Sequence, residues 1–299
     1  MVRMSDEGVR APGGAPFGDR LASAMAERGP VCVGIDPHPG LLERWGLDVG
    51  VRGLRTFSLG VVEALGGRVA AFKPQSAFFE RFGSAGVAVL EETIAACRDS
   101  DTLCIVDAKR GDIGSTMAGY AQAYLADGSP LAGDAVTLSP YLGVGSLAPA
   151  LDLAEATGRG VFVLCLTSNP EGGDVQHART PGGPSVAANV AAGVAQRNAK
   201  CDFRHMGPCG LVVGATVGSA VDDLGLDLAA VRGPLLAPGF GAQGAGSAQV
   251  ERVFHGVRDR VLASSSRAIL HGGPTVEGLR AAHAAALEDL VGVLGRSEL

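Results

Sequence analysis

The sequence lacks an excess of positive charge, and it lacks any long uninterrupted apolar run. Over 299 residues, 25 Lys and Arg stand against 31 Asp and Glu, so the formal net charge is -6. Without a broad positive field, a chain is a poor ligand for nucleic acids and anionic membrane surfaces. No apolar stretch has the length of a bilayer span or of a signal-peptide core. Neither nucleic acid nor a membrane is therefore expected as a partner.

The sequence also lacks a disulfide framework. Its six cysteines are scattered at positions 32, 97, 104, 165, 201 and 209, and three of them stand inside apolar runs. This distribution is typical of reduced core thiols in a cytoplasmic protein. Cys201 and Cys209 flank His205, but their spacing differs from that of a zinc pair, so no metal site is expected there.

What the sequence does contain is a regular alternation of short apolar runs and longer helical segments. The runs, each predicted to be a buried strand, span residues 31–35, 69–72, 103–106, 135–138, 161–166, 211–213, 234–237 and 261–263. Helical character is found over 60–65, 86–98, 115–125, 146–156, 185–199, 247–256 and 276–294. Eight alternations favour an α/β fold of the (β/α)8 TIM barrel type, with an open doubly wound sheet as the competitor.

No composition shift divides the chain, so we expect a flexible N-terminal arm over residues 1–15 and one barrel domain over 16–299. The stretch 167–185 is rich in Gly and Pro and unusually long for a loop of a compact domain. Loops of this kind often act as lids. The segment 239–246 is the first candidate for a lid, and 167–185 is the second.

Charged residues follow the first three predicted strands, where a barrel collects its chemistry. Asp36 follows the first run, Lys73 the second, and Asp107 and Lys109 the third, with Asp112 shortly after. Asp107 and Lys109 are two residues apart, so they project to the same side of a regular strand. Each charge favours the ionised form of its opposite neighbour, which predicts a fully charged cluster. A salt-bridge network that merely closes the rim is the alternative.

A glycine-rich stretch follows the seventh predicted strand. Gly239, Gly241 and Gly244 form a G-x-G-x-x-G pattern, but a dinucleotide site requires that pattern after the first strand. The glycines are better explained as backbone that approaches a phosphate, at the position where barrels commonly bind one. Gln243 and Arg267 could hold the phosphate oxygens, since a guanidinium binds two of them at once.

The motifs "GIDP", "FKPQ", "IVDAKRGDIGST", "PGFGAQG" and "SSSR" occur in this order over residues 34–267. Together they resemble the orotidine 5'-phosphate decarboxylase family, in its longer bacterial branch, over about residues 30–270. The resemblance implies conversion of orotidine 5'-monophosphate (OMP) to uridine 5'-monophosphate and carbon dioxide, in pyrimidine biosynthesis. It implies neither a metal nor an organic cofactor.

The resemblance also assigns roles to residues. It implies that Lys73, Asp107, Lys109 and Asp112 form the catalytic array, and that Asp112 and Thr116 reach the neighbouring site of a homodimer. The expected substrate-binding residues are Asp36, Ile113, Thr116, Thr167, Ser168, Pro238, Gly239, Gln243, Gly244 and Arg267. Ser139 is an alternative to Thr167 and Ser168 as the pyrimidine contact, because the 167–208 region is longer than in compact members of the family.

The predicted chemistry explains why charges follow a buried strand. Loss of carbon dioxide leaves a carbanion, which an ammonium group at Lys109 can stabilise and then protonate. Two alternatives remain open. A sugar-phosphate decarboxylase that uses magnesium would be expected to carry an acidic residue just before Asp107, where this chain has Val106. A phosphate-binding barrel without catalysis is the other.

Overall fold

Eight parallel strands close into a barrel in the computed structural model, which describes residues 14–240 and 247–295. Each strand pairs with the next along the chain, and the eighth pairs with the first. The strands are β1 (Val31–Ile35), β2 (Ala71–Pro74), β3 (Leu103–Arg110), β4 (Ala135–Leu138), β5 (Gly160–Leu166), β6 (Cys209–Val213), β7 (Leu235–Pro238) and β8 (Val261–Ser265). The closed order confirms the predicted (β/α)8 barrel and excludes the open sheet.

Helices stand before, between and after the strands. In the described residues they are α1 (Phe17–Arg28), α2 (Pro39–Arg44), α3 (Val51–Leu65), α4 (Ser76–Glu80), α5 (Gly83–Asp99), α6 (Gly114–Leu125), α7 (Ala148–Ala156), α8 (Gly173–Gln176), α9 (Val186–Asn198), α10 (Ala220–Asp223), α11 (Leu228–Val231), α12 (Ser247–Val253), α13 (Arg267–Leu270) and α14 (Val276–Leu294). Three 3-10 turns span Val144–Leu147, Pro170–Gly172 and Arg258–Arg260. None of these helices is both long and apolar enough to cross a bilayer.

The third strand is longer than predicted. The apolar run ends at Val106, whereas β3 continues through the charged residues to Arg110, with a register irregularity against β4. The prediction of a strand end at Val106 was therefore wrong. Asp107, Lys109 and Arg110 each form an ion pair with a neighbouring side chain, which neutralises their charges. The backbone pairing of β3 can therefore continue past Val106. In the same way β2 is shifted towards Lys73, which lies inside that strand.

Helix α1 closes the N-terminal end of the barrel, and the sequence patterns did not predict it. Its residues Phe17, Leu21 and Met25 are buried in a core inside the barrel. The ring of Phe17 meets that of Phe162 edge to face, with centroids 5.9 Å apart. Gly160 makes room for this contact, because a Cβ at that position would lie 2.1 Å from the Phe17 ring. One end of the barrel is thus filled, and the other end is left for the site.

The long loop after β5 has structure of its own. It contains a 3-10 turn and the short helix α8, and Gln176 on α8 bonds back to the backbone nitrogen and the hydroxyl of Thr167 at 2.8 and 2.7 Å. Ser185 caps the start of α9. The role of 167–185 as a lid stays a prediction. In the first lid candidate, 239–246, residues 241–246 lie outside the described residues.

Candidate functional site

The candidate site is a cavity of about 830 Å³ at the C-terminal ends of the strands. Residues from the ends of all eight strands, or directly after them, contribute to its wall. Nine of the predicted site residues line it: Asp36, Lys73, Asp107, Lys109, Thr167, Ser168, Pro238, Gly239 and Arg267. The chain order of these residues spans more than 230 positions, so only closure of the barrel brings them together.

Asp107 is the centre of the charged cluster. Its Oδ2 accepts hydrogen bonds from Lys73 Nζ at 2.8 Å and Gln75 Nε2 at 3.0 Å. Its Oδ1 accepts from Lys109 Nζ at 2.6 Å and from Thr137 Oγ1 at 2.8 Å. Asp107 and Lys73 are only 6% and 7% exposed. A buried carboxylate between two ammonium groups and two neutral donors is fully satisfied, and so remains charged.

The pKa values of the pair agree with this geometry. Burial by itself raises the pKa of Asp107, but the Lys73 and Lys109 ammonium groups outweigh it and hold that pKa well below its usual range. Burial by itself lowers the pKa of Lys73, but the Asp107 and Asp36 carboxylates outweigh it and leave that pKa above its ordinary value. Asp107 is therefore an anion and Lys73 a cation at neutral pH.

Lys109 reaches Asp107 through an unusual backbone. Its φ is +49°, in the left-handed region that residues other than glycine seldom adopt. Its backbone nitrogen donates to Thr137 Oγ1 at 3.0 Å. The side chain is 43% exposed, in contrast to that of Asp107. The Lys109 side chain thus lines the cavity while its ammonium group donates to Asp107.

Asp112, Ile113 and Thr116 lie to one side of this cluster. Asp112 is in the loop between β3 and α6, where its Oδ1 accepts from the backbone nitrogen of Ile113 at 2.8 Å. Ile113 is 61% exposed, and Thr116 on α6 is also exposed. None of the three lines the cavity. Within this one chain, the structure thus brings together three of the four residues of the predicted catalytic array.

The predicted phosphate end is partly described. Gly239 follows β7 with φ +109°, a conformation open to glycine, and lines the cavity beside Pro238. Arg267 begins α13, two residues after the last residue of β8, and is exposed. Gln243 and Gly244 lie outside the described residues. Arg44 and His271, which the sequence patterns did not single out, line the same cavity.

Asp36 lies just past the end of β1. Its Oδ1 is buried and has no hydrogen-bond partner among the described residues. Because an unpaired buried acceptor is costly, this atom is suited to accept a hydrogen bond from a ligand hydroxyl. Thr167 and Ser168 follow β5 on the cavity wall, whereas Ser139, the alternative to them, is not among its lining residues.

Gln75 and Thr137 are site residues whose importance the sequence reasoning missed. Both donate a hydrogen bond to Asp107. Gln75 lies two residues after Lys73, so the two-residue period of a strand places Lys73 and Gln75 on the same face. That spacing was a usable signal for Gln75. For Thr137 the signal was its position near the end of β4, but its partner comes from a different strand.

Cys201, His205 and Cys209 do not form a metal site. Over the parts of the chain that the structure describes, no group of three His, Cys, Asp or Glu side chains is arranged to hold a metal ion. All six cysteines are free thiols, and Cys201 is the one that is not buried.

Comparison with known proteins agrees with the geometry. The family model described as "Orotidine 5'-phosphate decarboxylase / HUMPS family" matches residues 29–282. An orotidine 5'-phosphate decarboxylase of Salinispora arenicola is 61% identical over 273 residues, which cover 91% of this chain and 96% of that protein.

Solved structures agree as well. A crystal structure from Streptomyces avermitilis is 54% identical with a TM-score of 0.89, covering 94% of this chain and 96% of its own. The OMP decarboxylase of Leishmania donovani is 29% identical with a TM-score of 0.74, covering 93% and 98%. The chain belongs to the orotidine 5'-phosphate decarboxylase family of carboxy-lyases.

Proposed function

We propose that this protein converts OMP to uridine 5'-monophosphate and carbon dioxide, with Lys109 as the proton donor. The observation that carries the proposal is the Asp107 carboxylate held between Lys73 and Lys109 in the cavity wall. A salt bridge that merely closes the rim needs no side chain in the wall of a cavity, whereas the Lys109 side chain lines the cavity and is 43% exposed.

The proposed reaction breaks one carbon–carbon bond. The bond between pyrimidine C6 and its carboxylate breaks, the carboxylate leaves as carbon dioxide, and the electron pair stays on C6. The ammonium group of Lys109 stabilises this charge as it develops, and then gives its proton to C6. Lys109 regains a proton from water before the next turnover.

Asp107 contributes by its charge. A substrate carboxylate beside Asp107 is repelled by it, and the repulsion disappears when that carboxylate becomes neutral carbon dioxide. Lys73 and Gln75 both donate hydrogen bonds to Oδ2 of Asp107. These bonds fix the orientation of the carboxylate, so it cannot turn away from the substrate. Interactions of this kind differ between ground state and transition state, which is what accelerates the chemical step.

The remaining predicted residues bind the two ends of the nucleotide. The unpaired Oδ1 of Asp36 would accept a ribose hydroxyl, and Arg267 would hold the phosphate beside the backbone of Gly239. Arg267 follows β8, three strands round the barrel from β3, so a phosphate held by it would be bound away from the reacting carbon. The contacts of Thr167, Ser168, Pro238, Gln243 and Gly244 stay predictions.

We also propose a homodimer in which Asp112 and Thr116 enter the neighbouring site. In support, both lie outside the cavity of their own chain. Three large apolar residues are exposed: Ile113 at 61%, which lies between them in the chain, and Tyr141 at 78% and Leu142 at 53%, which follow the neighbouring strand β4. Exposed apolar groups of this size next to a site are typical of a subunit interface.

The sugar-phosphate alternative is disfavoured by Val106, which is fully buried in β3 directly before Asp107. An acidic side chain at that position would have to be buried among apolar groups. The non-catalytic alternative leaves unexplained why the half-exposed side chain of Lys109 lines the cavity.

The test is an ultraviolet assay that follows the loss of OMP with the purified protein, with and without a metal chelator. We expect turnover that the chelator does not change. Lys109→Ala should abolish turnover while uridine 5'-monophosphate still binds, and Lys200→Ala, at an exposed position, is the matched control. Absence of turnover by the unaltered protein, or normal turnover by Lys109→Ala, would contradict the proposal.

A further inference from the structure

Arg110 lies directly after Lys109, and its guanidinium group links β3 to helices on two sides. Its Nη2 donates to the carboxylate of Glu80, the last residue of α4, and to the hydroxyl of Tyr124 on α6 at 3.2 Å. Its Nη1 donates to the carbonyl oxygen of Ala108 at 3.3 Å. We call Arg110, Glu80 and Tyr124 the Arg110 cluster.

The Arg110 cluster is more than an exposed ion pair. The side chain of Arg110 is 27% exposed, and its guanidinium carbon lies 5.7 Å from the ring centroids of both Tyr120 and Tyr124. Glu80 also accepts a hydrogen bond from Ser76 Oγ at 2.5 Å. The guanidinium group of Arg110 is planar, and a carboxylate, a hydroxyl and two aromatic rings surround it, so it has one preferred orientation. The flexible side chain and single ammonium group of a lysine could not reproduce these contacts.

The position of the Arg110 cluster in the fold gives it a mechanical role. Glu80 ends the helix that follows Lys73 and Gln75, and Tyr124 is on the helix that follows the Asp112 loop. Arg110 therefore ties together the segments after β2 and after β3. These segments directly follow the two strands that carry Lys73, Asp107 and Lys109, and the second of them contains Asp112.

The backbone between the cluster and Asp107 is the part that needs support. Lys109 has φ +49°, and the pairing of β3 with β4 is irregular between Val106 and Arg110. Thr137 holds the backbone nitrogen of Lys109, and the carbonyl oxygen of Arg110 accepts from the backbone nitrogen of Ser139 at 2.7 Å. A left-handed residue persists only where its surroundings hold it, and the Arg110 side chain is the clamp on its C-terminal side.

We propose that Arg110, held by Glu80 and Tyr124, is a positioning residue that fixes the left-handed turn at Lys109 and thereby the direction of the Lys109 ammonium group. The proposal rests on the proposed function for its catalytic consequence. It makes a separate statement about geometry, because the orientation of Lys109 is measurable without turnover.

The kinetic test compares Arg110→Ala with the unaltered protein and with Arg159→Ala. Arg159 is the matched control: its side chain is 14% exposed and bonds to Asp127 and two carbonyl oxygens, and it begins the β5 region at the opposite end of the barrel. We expect kcat of Arg110→Ala to fall by roughly tenfold to a hundredfold, with KM changed by less than about threefold. Arg159→Ala should lose stability with kcat unchanged.

Chemical rescue gives a second readout. Guanidinium ion at millimolar concentration should restore part of the kcat of Arg110→Ala, because it can occupy the place between Glu80 and Tyr124. It should not raise the kcat of Lys109→Ala. A loss of kcat in Arg159→Ala equal to that in Arg110→Ala, or failure of rescue together with an unchanged Lys109 environment, would overturn the proposal.

The Lys109 environment can be observed directly, because the chain has three lysines, at positions 73, 109 and 200. Lysine-selective isotope labelling should give three side-chain NMR signals, assigned with Lys109→Arg and Lys200→Arg. In Arg110→Ala we expect the Lys109 signal to shift or broaden, while that of Lys200 stays in place. An unmoved Lys109 signal would contradict the positioning role even if OMP proved not to be the substrate, and lack of turnover with a moved signal would contradict only the proposed function.

Discussion

At the scale of single residues, the site is organised around the buried carboxylate of Asp107. Four donors converge on its two oxygens, and two of them carry positive charge. Taking such groups out of water is costly, and the cost is offset only when every partner is present. The stability of this part of the barrel therefore depends on residues whose proposed task is chemical.

Removal of Asp107 should destabilise the protein. In Asp107→Ala the ammonium group of Lys73 stays buried without its hydrogen-bonded counter-ion, and breaking a buried pair in this way typically costs about 3–5 kcal/mol. Urea unfolding measures the difference in the free energy of unfolding. The control is the double variant Lys73→Met, Asp107→Leu, which removes both charges and should lose less; an equal loss in both would contradict the explanation.

The contribution of Lys73 and Asp107 to the free energy of unfolding should not change with pH near neutrality. The pKa of Asp107 is lowered on folding, so its contribution is present above the unfolded pKa and is lost as the pH falls through the folded one. The pKa of Lys73 is raised, so its contribution is present below the unfolded pKa and is lost as the pH rises through the folded one.

From about pH 5 to about pH 9 both contributions should therefore be constant. Urea unfolding of the unaltered protein and of Lys73→Met, Asp107→Leu should give a constant difference in unfolding free energy over that range. At more acidic pH the difference should shrink. If the difference in unfolding free energy varied steadily from about pH 5 to about pH 9, Lys73 or Asp107 would titrate within that range, which would contradict the prediction.

At the scale of elements, the two ends of the barrel have separate tasks. Helix α1 fills the N-terminal end with Phe17, Leu21 and Met25. The C-terminal ends of the strands carry the cavity. Strand β3 runs through both regions: it is apolar up to Val106, and beyond that residue it carries Asp107 and Lys109, which line the cavity. The filled end can therefore be perturbed in stability without a change at the residues of the cavity.

Truncation at the filled end should affect stability alone. Phe17→Ala removes a ring with no exposed surface that packs on Phe162, which typically costs about 3–5 kcal/mol. We expect a lower midpoint in urea, with kcat and KM for OMP unchanged under conditions where the variant is folded. Phe17→Leu, which fills part of the space, should lose less. A fall in kcat of the folded Phe17→Ala protein would show that the two ends are coupled.

At the scale of the whole molecule, the distribution of Asp112 and Thr116 outside their own cavity predicts shared sites between subunits. In a mixture of Lys109→Ala and Asp112→Ala chains, half of the dimers formed at random are hybrids. One of the two sites in each hybrid has both residues intact. Two inactive variants, unfolded and refolded together, should thus recover about a quarter of the activity of the unaltered protein.

The measurement is the ultraviolet assay on the refolded mixture, beside each variant refolded alone. A mixture of Lys109→Ala with Lys73→Ala is the control, because both residues belong to the cluster of one chain and every hybrid site then lacks one of them. Activity in the control mixture, or none in the first, would contradict the proposed dimer.

Much of this molecule could be predicted from local patterns. Buried parallel strands are short apolar runs, so eight runs with helices between them predict the barrel, and five motifs in a fixed order predict the family. Helix α1 escaped prediction because its burial depends on the open end of a barrel that is not visible in the local sequence. The end of β3 was misplaced because an apolar run ends where charges begin, whereas the strand ends where its pairing does.

The sequence alone determined the barrel, the family and the identity of the charged residues, because these follow from residue type and spacing along the chain. Only the tertiary structure decided that Lys73, Gln75, Lys109 and Thr137 all bond to Asp107, and that Asp112 lies apart. It also placed Arg110 between Glu80 and Tyr124. The physical reason is that hydrogen bonds between strands depend on register and on backbone twist, and a single left-handed residue such as Lys109 redirects them.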